Sequence, residues 1–314
     1  MGIFSEIGLR FLQRRVGEKS TAGYLADRLT SKGIEKKQIE SKHIRHVYRV
    51  MKDWKDRPIN TTTIQISNSG NKFIARKLLG VIIETRAHPA LEYVVGNFIR
   101  ELGIPVQLYH GKCNKDYILS THISELARQG NVILTQLEAD SLTATKYNEL
   151  LMSDKFWASL VGRKKILMFQ TDTIVCSKTR YSIDDFISYD YIGSNWPRHR
   201  PIGLTIDGGN GGFSLRDWEK SYECIQRFPP SFWKGGEDSY FSFHLDLMGA
   251  HVGRSLACSR FCTQYEFSHK SLGAHKVSCL TMKELARFLD YCPEAKFMVS
   301  TEAMKKIGRY SQPV

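Results

Sequence analysis

The pattern of apolar and polar residues predicts a domain in which strands and helices alternate. Short apolar runs, which are typical of buried parallel strands, occupy residues 79–84, 106–109, 131–137 and 165–169. Segments with the periodicity of an amphipathic helix lie among them, at residues 89–102 and 143–160. This alternation predicts an α/β fold built on a mostly parallel sheet.

The pattern changes after residue 175. Short strands flanked by glycine are predicted at residues 190–194 and 211–216, and helices at residues 239–247 and 281–291. Thr281 and Glu284 have the spacing of a capping box, which favours a helix start at that point. We therefore expect residues 279–314 to form a helical C-terminal tail.

The first 75 residues differ from the rest and are predicted to form a basic, largely helical extension. Apolar residues between positions 3 and 12 lie among polar and basic residues such as Arg10, Arg14 and Arg15, which predicts a short amphipathic helix. Residues 59–72 are rich in Thr, Asn, Ser and Gly and are predicted to form a linker. The main domain is then expected to span residues 76–278.

The charge of the chain adds a constraint on its partners. The formal net charge is +13 and the basic excess is concentrated in the N-terminal extension. Two interpretations explain the basic excess in this extension. It could be a solvated helical face, or it could make peripheral contact with an anionic membrane or with a pyrophosphate-linked lipid acceptor. A nucleic-acid partner is not expected, because no motif that reads bases is found.

Two negative observations bear on localisation. No window approaches the about 20 apolar residues that crossing a bilayer requires, so any membrane contact is expected from the surface. The seven cysteines are irregularly spaced and do not form a zinc motif. Reduced thiols in a cytoplasmic protein are the simpler interpretation.

Asp172 is the first residue with candidate chemistry, because it follows the predicted strand at 165–169. Ligands of open α/β sheets bind beyond the carboxyl ends of the strands. A carboxylate at that position can hold a divalent cation, Mn²⁺ or Mg²⁺, that in turn binds diphosphate oxygens. By itself the residue could equally be a turn residue or a helix cap.

Two further clusters carry acidic or imidazole groups. Glu237 and Asp238 follow two glycines at the start of a predicted helix, where one carboxylate could serve as a general base or both could simply cap the helix. His275 could ligate a metal while Lys276 faces phosphate, although an isolated histidine is usually a surface or core residue. The glycine-rich segment 207–212 is a weaker signal and could be a wide turn.

The order of these clusters resembles that of GT-A glycosyltransferases. More narrowly, the chain is similar to a little-characterised family of glycosyltransferases found in bacteria, viruses and some eukaryotes. The resemblance spans about residues 79–277. It rests on residues 81–86 with 88–89, 147–148 with 156–157, 169–173, 209–216, 237–238 and 273–276.

The resemblance implies a nucleotide-diphospho-sugar transferase fold of the Rossmann-like GT-A type, and a role for each matching residue. Asp172 and His275 match the positions that hold the metal, and Asp238, with Glu237 beside it, matches the catalytic base. The remaining matches would bind the nucleotide sugar: Thr85, Arg86, Thr171, Asp172, Asn210, Gly211, Gly212, Phe213 and Lys276. Thr171-Asp172-Thr173 holds one acid where the family motif has two, so a single carboxylate must suffice.

The implied function is transfer of a sugar from a UDP- or GDP-sugar to a hydroxyl of a glycan or glycoconjugate acceptor. Inversion at the anomeric carbon is expected, and retention stays open. The alternatives are a catalytically inactive nucleotide-sugar-binding module and a basic nucleic-acid-binding protein. A nucleotidyltransferase is a further alternative, because that class also places a metal-binding carboxylate at a strand end.

Overall fold

The computed structural model describes residues 64–67, 77–162, 164–196, 208–228, 230, 233 and 235–310. Almost all of the predicted extension, residues 1–75, lies outside the described residues, and with it the predicted amphipathic helix and membrane contact. The predicted linker is described only at 64–67, where Ile66 forms an antiparallel bridge with Leu137. No helix in the described part of the chain has the length and apolar character needed to cross a membrane.

The described strands form two sheets. The strands are β1 (Leu78–Ile83), β2 (Val106–His110), β3 (Val132–Gln136), β4 (Lys165–Phe169), β5 (Thr173–Val175), β6 (Tyr191–Asn195), β7 (Gly208–Asp217), β8 (Cys262–Thr263) and β9 (Gly273–His275). The larger sheet has the order β3-β2-β1-β4-β7-β6 and the smaller one the order β5-β9-β8. Strands β1 to β4 are parallel, whereas β7 runs antiparallel to both β4 and β6. The predicted mixed, mostly parallel sheet is confirmed.

Helices cover both faces of the larger sheet. The described helices are α1 (Leu91–Leu102), α2 (Lys115–Leu119), α3 (Ile123–Arg128), α4 (Ala144–Leu151), α5 (Asp154–Ser159), α6 (Trp218–Arg227), α7 (Glu237–Leu247), α8 (Ser255–Phe261), α9 (Met282–Tyr291) and α10 (Thr301–Tyr310). In β1, Leu79, Val81 and Ile83 belong to the apolar core on one face, and Leu78 and Ile82 to the core on the other. Burial on both faces explains why this strand is a continuous apolar run rather than an alternating one.

Helix α1 makes the crossover between the parallel strands β1 and β2. It ends at Gly103, which adopts the left-handed conformation (φ 62°) and donates its N–H to Ile99 O at 2.9 Å. Phe98 on this helix stacks on Phe169 at the end of β4, with ring centroids 3.8 Å apart. The helix therefore packs directly over the end of β4, three residues before Asp172.

The single helix predicted over residues 143–160 is wrong, because the structure has two helices there. Ser153 separates α4 from α5 in an extended conformation (ψ 142°), and its hydroxyl oxygen accepts from the N–H of Phe156. Serine competes with the helical backbone for hydrogen bonds, so it favours a cap over a helix interior. The strand predicted at 211–216 is longer than expected, because β7 includes the preceding glycines.

The smaller sheet and the C-terminal helices share a third apolar core. Ile174 and Ala274 on the sheet lie in one cluster with Leu285 and Phe288 of α9. The predicted capping box at the start of α9 is present, with the Thr281 hydroxyl and the Glu284 carboxylate bonded to each other's backbone N–H. Residues on both sides of the predicted boundary at 278 therefore pack together.

Candidate active site

The candidate site lies where β1 and β4 end, at one edge of the larger sheet. The last residue of β4, Phe169, pairs with Phe213 on the antiparallel strand β7. The segment that continues past β4 through Asp172 therefore runs beside the first residues of β7. This is the end of the sheet at which open α/β proteins bind their ligands.

Asp172 and His275 are brought together by the smaller sheet. Thr173 pairs with His275 between β5 and β9, and the N–H of Lys276 donates to Asp172 O at 3.0 Å. His275 Nε2 then lies 3.3 Å from Asp172 Oδ1. Burial opposes ionisation of Asp172, but His275 and Lys276 outweigh it and hold the pKa of the carboxyl below its ordinary value. The two residues that sequence placed 103 positions apart form one site.

When its imidazole is neutral, His275 has a lone pair on one ring nitrogen, and together with the Asp172 carboxylate it can bind a cation. Asp172 Oδ1 and both ring nitrogens of His275 are buried without a hydrogen-bond partner among the described residues, although buried polar groups are normally satisfied. The described residues contain no cluster of three or more His, Cys, Asp or Glu side chains that could hold a metal ion. A carboxylate and an imidazole alone fit a divalent cation that takes its other ligands from substrate phosphates and water.

Lys276 has a strained backbone at the same place. Its φ of 46° lies in the left-handed region, which costs a residue other than glycine roughly 1–2 kcal/mol. The side chain is exposed, and its charge acts on the Asp172 carboxylate. The exposed ammonium of Lys276 thus acts electrostatically on the candidate metal pair, and its charge is of the sign that a diphosphate would attract.

Two adjacent glycines of β7 separate the metal pair from the acidic pair on α7. Successive strand residues face opposite sides of the sheet. A Cβ added to Gly212 would overlap the ring of His275, and one added to Gly211 would overlap a carboxylate oxygen of Glu237 and lie 2.9 Å from the Cβ of Asp238. Only glycine lets both groups approach the strand this closely.

We expect Gly212→Ala to displace the His275 ring and to lower the free energy of unfolding by about 1–3 kcal/mol, as overpacking does. Urea unfolding measures this loss. The matched control is Gly96→Ala on α1, where an added Cβ meets nothing within 4 Å and alanine favours the helix. Equal stability of the two variants would contradict the close packing of His275 on Gly212.

The acidic pair lies at the N-terminus of α7. The half-buried Asp238 accepts from Ser239 N at 2.7 Å and from Gly211 N at 3.4 Å. Burial and the neighbouring charge of Glu237 raise the pKa of Asp238 to about 7, although both backbone hydrogen bonds and Arg216 oppose this. A carboxylate with a pKa near neutrality suits proton transfer at physiological pH.

Glu237 has a different environment from Asp238. Its carboxylate is buried and bonded through both oxygens to the guanidinium of Arg216, with N–O distances of 2.6 and 3.1 Å. Arg216 is fully buried on β7, and its guanidinium lies over the rings of Tyr191 and Phe241. Glu237 was predicted to be catalytic, but its carboxylate is held by Arg216, which suits a residue that positions Asp238.

The loop after β1 carries Arg86, which was predicted to bind the nucleotide. Its guanidinium is bonded through two nitrogens to the buried Glu84 carboxylate, at 2.8 Å each, yet the side chain is 68% exposed. The side-chain amide of Asn114 donates to the carbonyl oxygens of Glu84 and Arg86 and so fixes the loop. The Asp172 charge contributes to the raised pKa of Arg86, after the bond to Glu84 and its charge. Arg86 is therefore an oriented cation that interacts electrostatically with Asp172.

Other predicted residues are less open to a ligand. The prediction that the side chain of Phe213 lines the pocket is corrected, because its ring is 1% exposed and packs in the core against Phe98 and Phe261. The side chains of Thr85 and Thr171 are buried as well. The half-buried Asn210 accepts from the N–H of Gly212 at 3.3 Å and so shapes the start of β7.

Three residues of the site were not predicted from the sequence. Arg216 organises the acidic pair, and the amide oxygen of Asn148 on α4 accepts from Glu237 N at 3.1 Å. Burial and the charge of Glu237 raise the pKa of Tyr147, the third residue. Arg216 had a detectable signal, because an arginine at an inward position of a buried strand requires a buried carboxylate. Tyr147 and Asn148 lay within the resemblance but had no separate signal.

Comparison with known proteins gives partial matches. The family model described as "Protein of unknown function (DUF5672)" matches residues 133–276. No curated protein sequence matches the chain. The chain is similar to a candidate glucose-1-phosphate thymidylyltransferase from Bacillus anthracis in complex with sucrose, with 11% identity and a TM-score of 0.39, covering 57% of this chain and 85% of that one.

A second solved structure is the apo-form glycosyltransferase GlyE of Streptococcus pneumoniae TIGR4. It has 10% identity and a TM-score of 0.44, and the match covers 75% of this chain and 64% of that one. The chain thus spans less than two thirds of the length of GlyE in that structure. Similarity of this degree assigns neither a reaction nor a substrate to the chain.

Proposed function

We propose that the protein is a metal-dependent glycosyltransferase that uses a nucleotide-diphosphate sugar, a UDP- or GDP-sugar, as its donor. The observation that carries this proposal is the pairing of Asp172 with His275, both with free lone pairs, across two glycines from Asp238. One side of the Gly211–Gly212 strand offers ligands for a cation, and the other offers a carboxylate. Both accelerate a displacement at a sugar carbon, because charge builds on the leaving diphosphate while the attacking hydroxyl loses a proton.

Asp172 and His275 would hold Mn²⁺ or Mg²⁺. When bound, such a cation binds diphosphate oxygens and offsets the negative charge that develops on them. Lys276 and Arg86 add two exposed positive charges next to the same site. Together these groups suit a donor that carries a diphosphate. The nucleoside of that donor would bind the loop after β1, which Glu84 and Asn114 hold in place.

Asp238 would act as the general base. The acceptor oxygen attacks the anomeric carbon as the carbon–oxygen bond to the diphosphate breaks, the leaving oxygen takes the electron pair, and the Asp238 carboxylate takes the acceptor proton. A single displacement of this kind inverts the configuration. Glu237 and Arg216 fix the start of α7 and thereby the direction of the Asp238 carboxylate.

The test is the thermal stability of the full chain with UDP or GDP, each with and without Mn²⁺. A ligand at about 100 times its Kd adds about 2.7 kcal/mol to the stability of the folded state. We expect one nucleotide to stabilise the protein only when Mn²⁺ is present, and Asp172→Ala to abolish that stabilisation. The control is Asp116→Ala, an exposed acid in the first turn of α2. Stabilisation that persists in Asp172→Ala would contradict the proposed site.

A product assay separates glycosyl transfer from the alternatives. Hydrolysis of a nucleotide sugar by a glycosyltransferase releases a nucleoside diphosphate. A nucleotidyltransferase would instead release pyrophosphate from a nucleoside triphosphate and a sugar phosphate. Binding of the nucleotide sugar without release of either product would support the inactive binding module.

A further inference from the structure

A pocket of about 500 Å³ opens where β6 ends. Asn195 and Trp196, at the end of β6, form one wall. Gln264, Tyr265 and Glu266, which follow β8, form the opposite wall. The volume is within the range of small-molecule sites. None of these residues has a part in the proposed donor site.

The walls of this pocket combine aromatic surface with polar groups. Tyr265 is 36% exposed although it is a large side chain, and Trp196 is half-buried. An aromatic ring with a polar handle suits a ligand that presents both apolar C–H faces and hydroxyls. The Gln264 amide oxygen is already bonded to the Ser194 hydroxyl, so this wall is fixed.

Two polar atoms in the β6 wall have unused hydrogen-bonding capacity. The Asn195 amide nitrogen donates to Ser255 O at 3.0 Å and to Ser259 Oγ at 2.7 Å, which fixes its orientation, because a carbonyl oxygen can only accept. Asn195 Oδ1 and Trp196 Nε1 have no partner among the described residues. One is an acceptor and the other a donor. Both atoms are covered by protein, so this wall presents mainly the aromatic surface of Trp196 to the pocket, and the two hydrogen bonds of the Asn195 amide nitrogen hold the wall in place.

The charge of the lining selects against anions. Glu266 is exposed at the rim, Glu284 of α9 also lines the pocket, and the described lining contains no lysine or arginine. A carboxylate or phosphate entering here would meet like charges. The described lining of this pocket therefore carries negative charge, whereas the proposed donor site includes the exposed cations Lys276 and Arg86.

The register of β6 and β7 places this pocket near the proposed base. Asn195 pairs with Gly208, and Gly211, three residues further along β7, donates to Asp238. The pairing of β6 with β7 is irregular at Ser194 and Asn195, so the separation along β7 is at most about 10 Å, the length of three regular strand residues. Burial, Cys279 and the charge of Asp238 together raise the pKa of Tyr265, which agrees with this proximity.

We propose that this pocket binds the acceptor, and that the acceptor is an uncharged, hydroxyl-rich sugar whose ring packs on Tyr265 and Trp196. This inference rests on the proposed function, because it assigns the second substrate of the same reaction. It makes an anionic group, such as the pyrophosphate of a lipid-linked acceptor, a poor occupant of this pocket. The hydroxyl that reacts would extend from the pocket toward Asp238.

Saturation-transfer NMR on the full chain tests the proposal with neutral methyl hexopyranosides and the matching methyl uronosides as probes. We expect at least one neutral glycoside to bind, and its uronoside to bind at least about tenfold more weakly because of the acidic rim. Trp196→Ala and Tyr265→Ala should each abolish the saturation-transfer signal of the neutral glycoside. Glu266→Gln should reduce the difference in affinity between the neutral glycoside and its uronoside. The matched control is Tyr93→Ala, which removes an exposed tyrosine on α1.

Three results would overturn the proposal: no neutral glycoside binds, binding survives in both aromatic variants, or the uronoside binds more tightly. Tyr265→Ala keeps the test decisive if Trp196→Ala does not fold, because Tyr265 lies at the surface. The Mn²⁺-dependent thermal shift with nucleotide is measured on the same samples. If the nucleotide shifts the thermal stability as expected but no glycoside binds, only the acceptor pocket is overturned. If the nucleotide gives no shift with the unmutated chain, the proposed function itself is overturned.

Discussion

Replacing Asp238 with asparagine is expected to lower turnover by about two to four orders of magnitude, the usual effect of losing a general base. The affinity for the nucleotide should be unchanged, because the metal pair and the exposed cations lie on the other side of the Gly211–Gly212 strand. Single-turnover kinetics measures the loss, and the Mn²⁺-dependent thermal shift measures donor binding. The control is Asp116→Asn, which changes an acid at the same position of helix α2.

The pH dependence adds a readout that a structural role of Asp238 would not produce. Because the pKa of Asp238 is raised to about 7, kcat/KM should rise with pH through about 7 and then level off as the carboxylate becomes ionised. A group with a raised pKa contributes stability at low pH that is lost as the pH rises through the folded-state value. Asparagine does not ionise, so Asp238→Asn should be more stable than the unmutated chain at pH 8.

A loss of activity and a gain in stability in one variant is the signature of a strained catalytic group. If Asp238→Asn lost both activity and stability at pH 8, the residue would be a structural cap of α7. If it lost nucleotide binding instead of turnover, Asp238 would belong to the donor site. Only the combination of lower turnover, retained binding and higher stability agrees with the role of a base.

The central fold could be predicted because its signals are local. Strands β1 and β4 could be predicted from their continuous apolar runs alone, and the start of α9 from the Thr281–Glu284 capping box. The break between α4 and α5 was missed because Ser153 interrupts an amphipathic pattern that otherwise continues through it. The smaller sheet was not predicted, because β8 and β9 are two and three residues long and owe their pairing to contacts distant in sequence.

The candidate site also combines residues that local sequence signals predicted with residues whose positions depend on distant contacts. The location of Asp172 followed from a strand end, and that of Asp238 from a glycine-flanked helix start, so both were accessible to sequence reasoning. The closeness of His275 to Asp172 depends on the β5–β9 pairing, which has no local signal. An arginine on a buried strand indicated that Arg216 needs a buried carboxylate, but the sequence could not show which of the two adjacent acids, Glu237 or Asp238, it binds.

Removing the guanidinium of Arg216 should have the largest effect on stability. Arg216→Met leaves the Glu237 carboxylate buried without its ion-pair partner, which costs about 3–5 kcal/mol of unfolding free energy. The side chains of Arg216 and Glu237 are 0% and 6% exposed, so solvent cannot replace the lost interaction. Urea unfolding followed by tryptophan fluorescence measures the change.

The exposed pair of Lys77 and Asp184 provides the control. Its N–O distance of 2.7 Å is comparable, but its side chains are 69% and 61% exposed, so Lys77→Met should cost no more than about 1 kcal/mol. The double variant Arg216→Met with Glu237→Gln removes both buried charges and should be less destabilised than the sum of the two single variants. Additive losses, or equal losses for Arg216→Met and Lys77→Met, would mean that the buried pair does not hold α7 against β7, and that the position of Asp238 depends on other contacts.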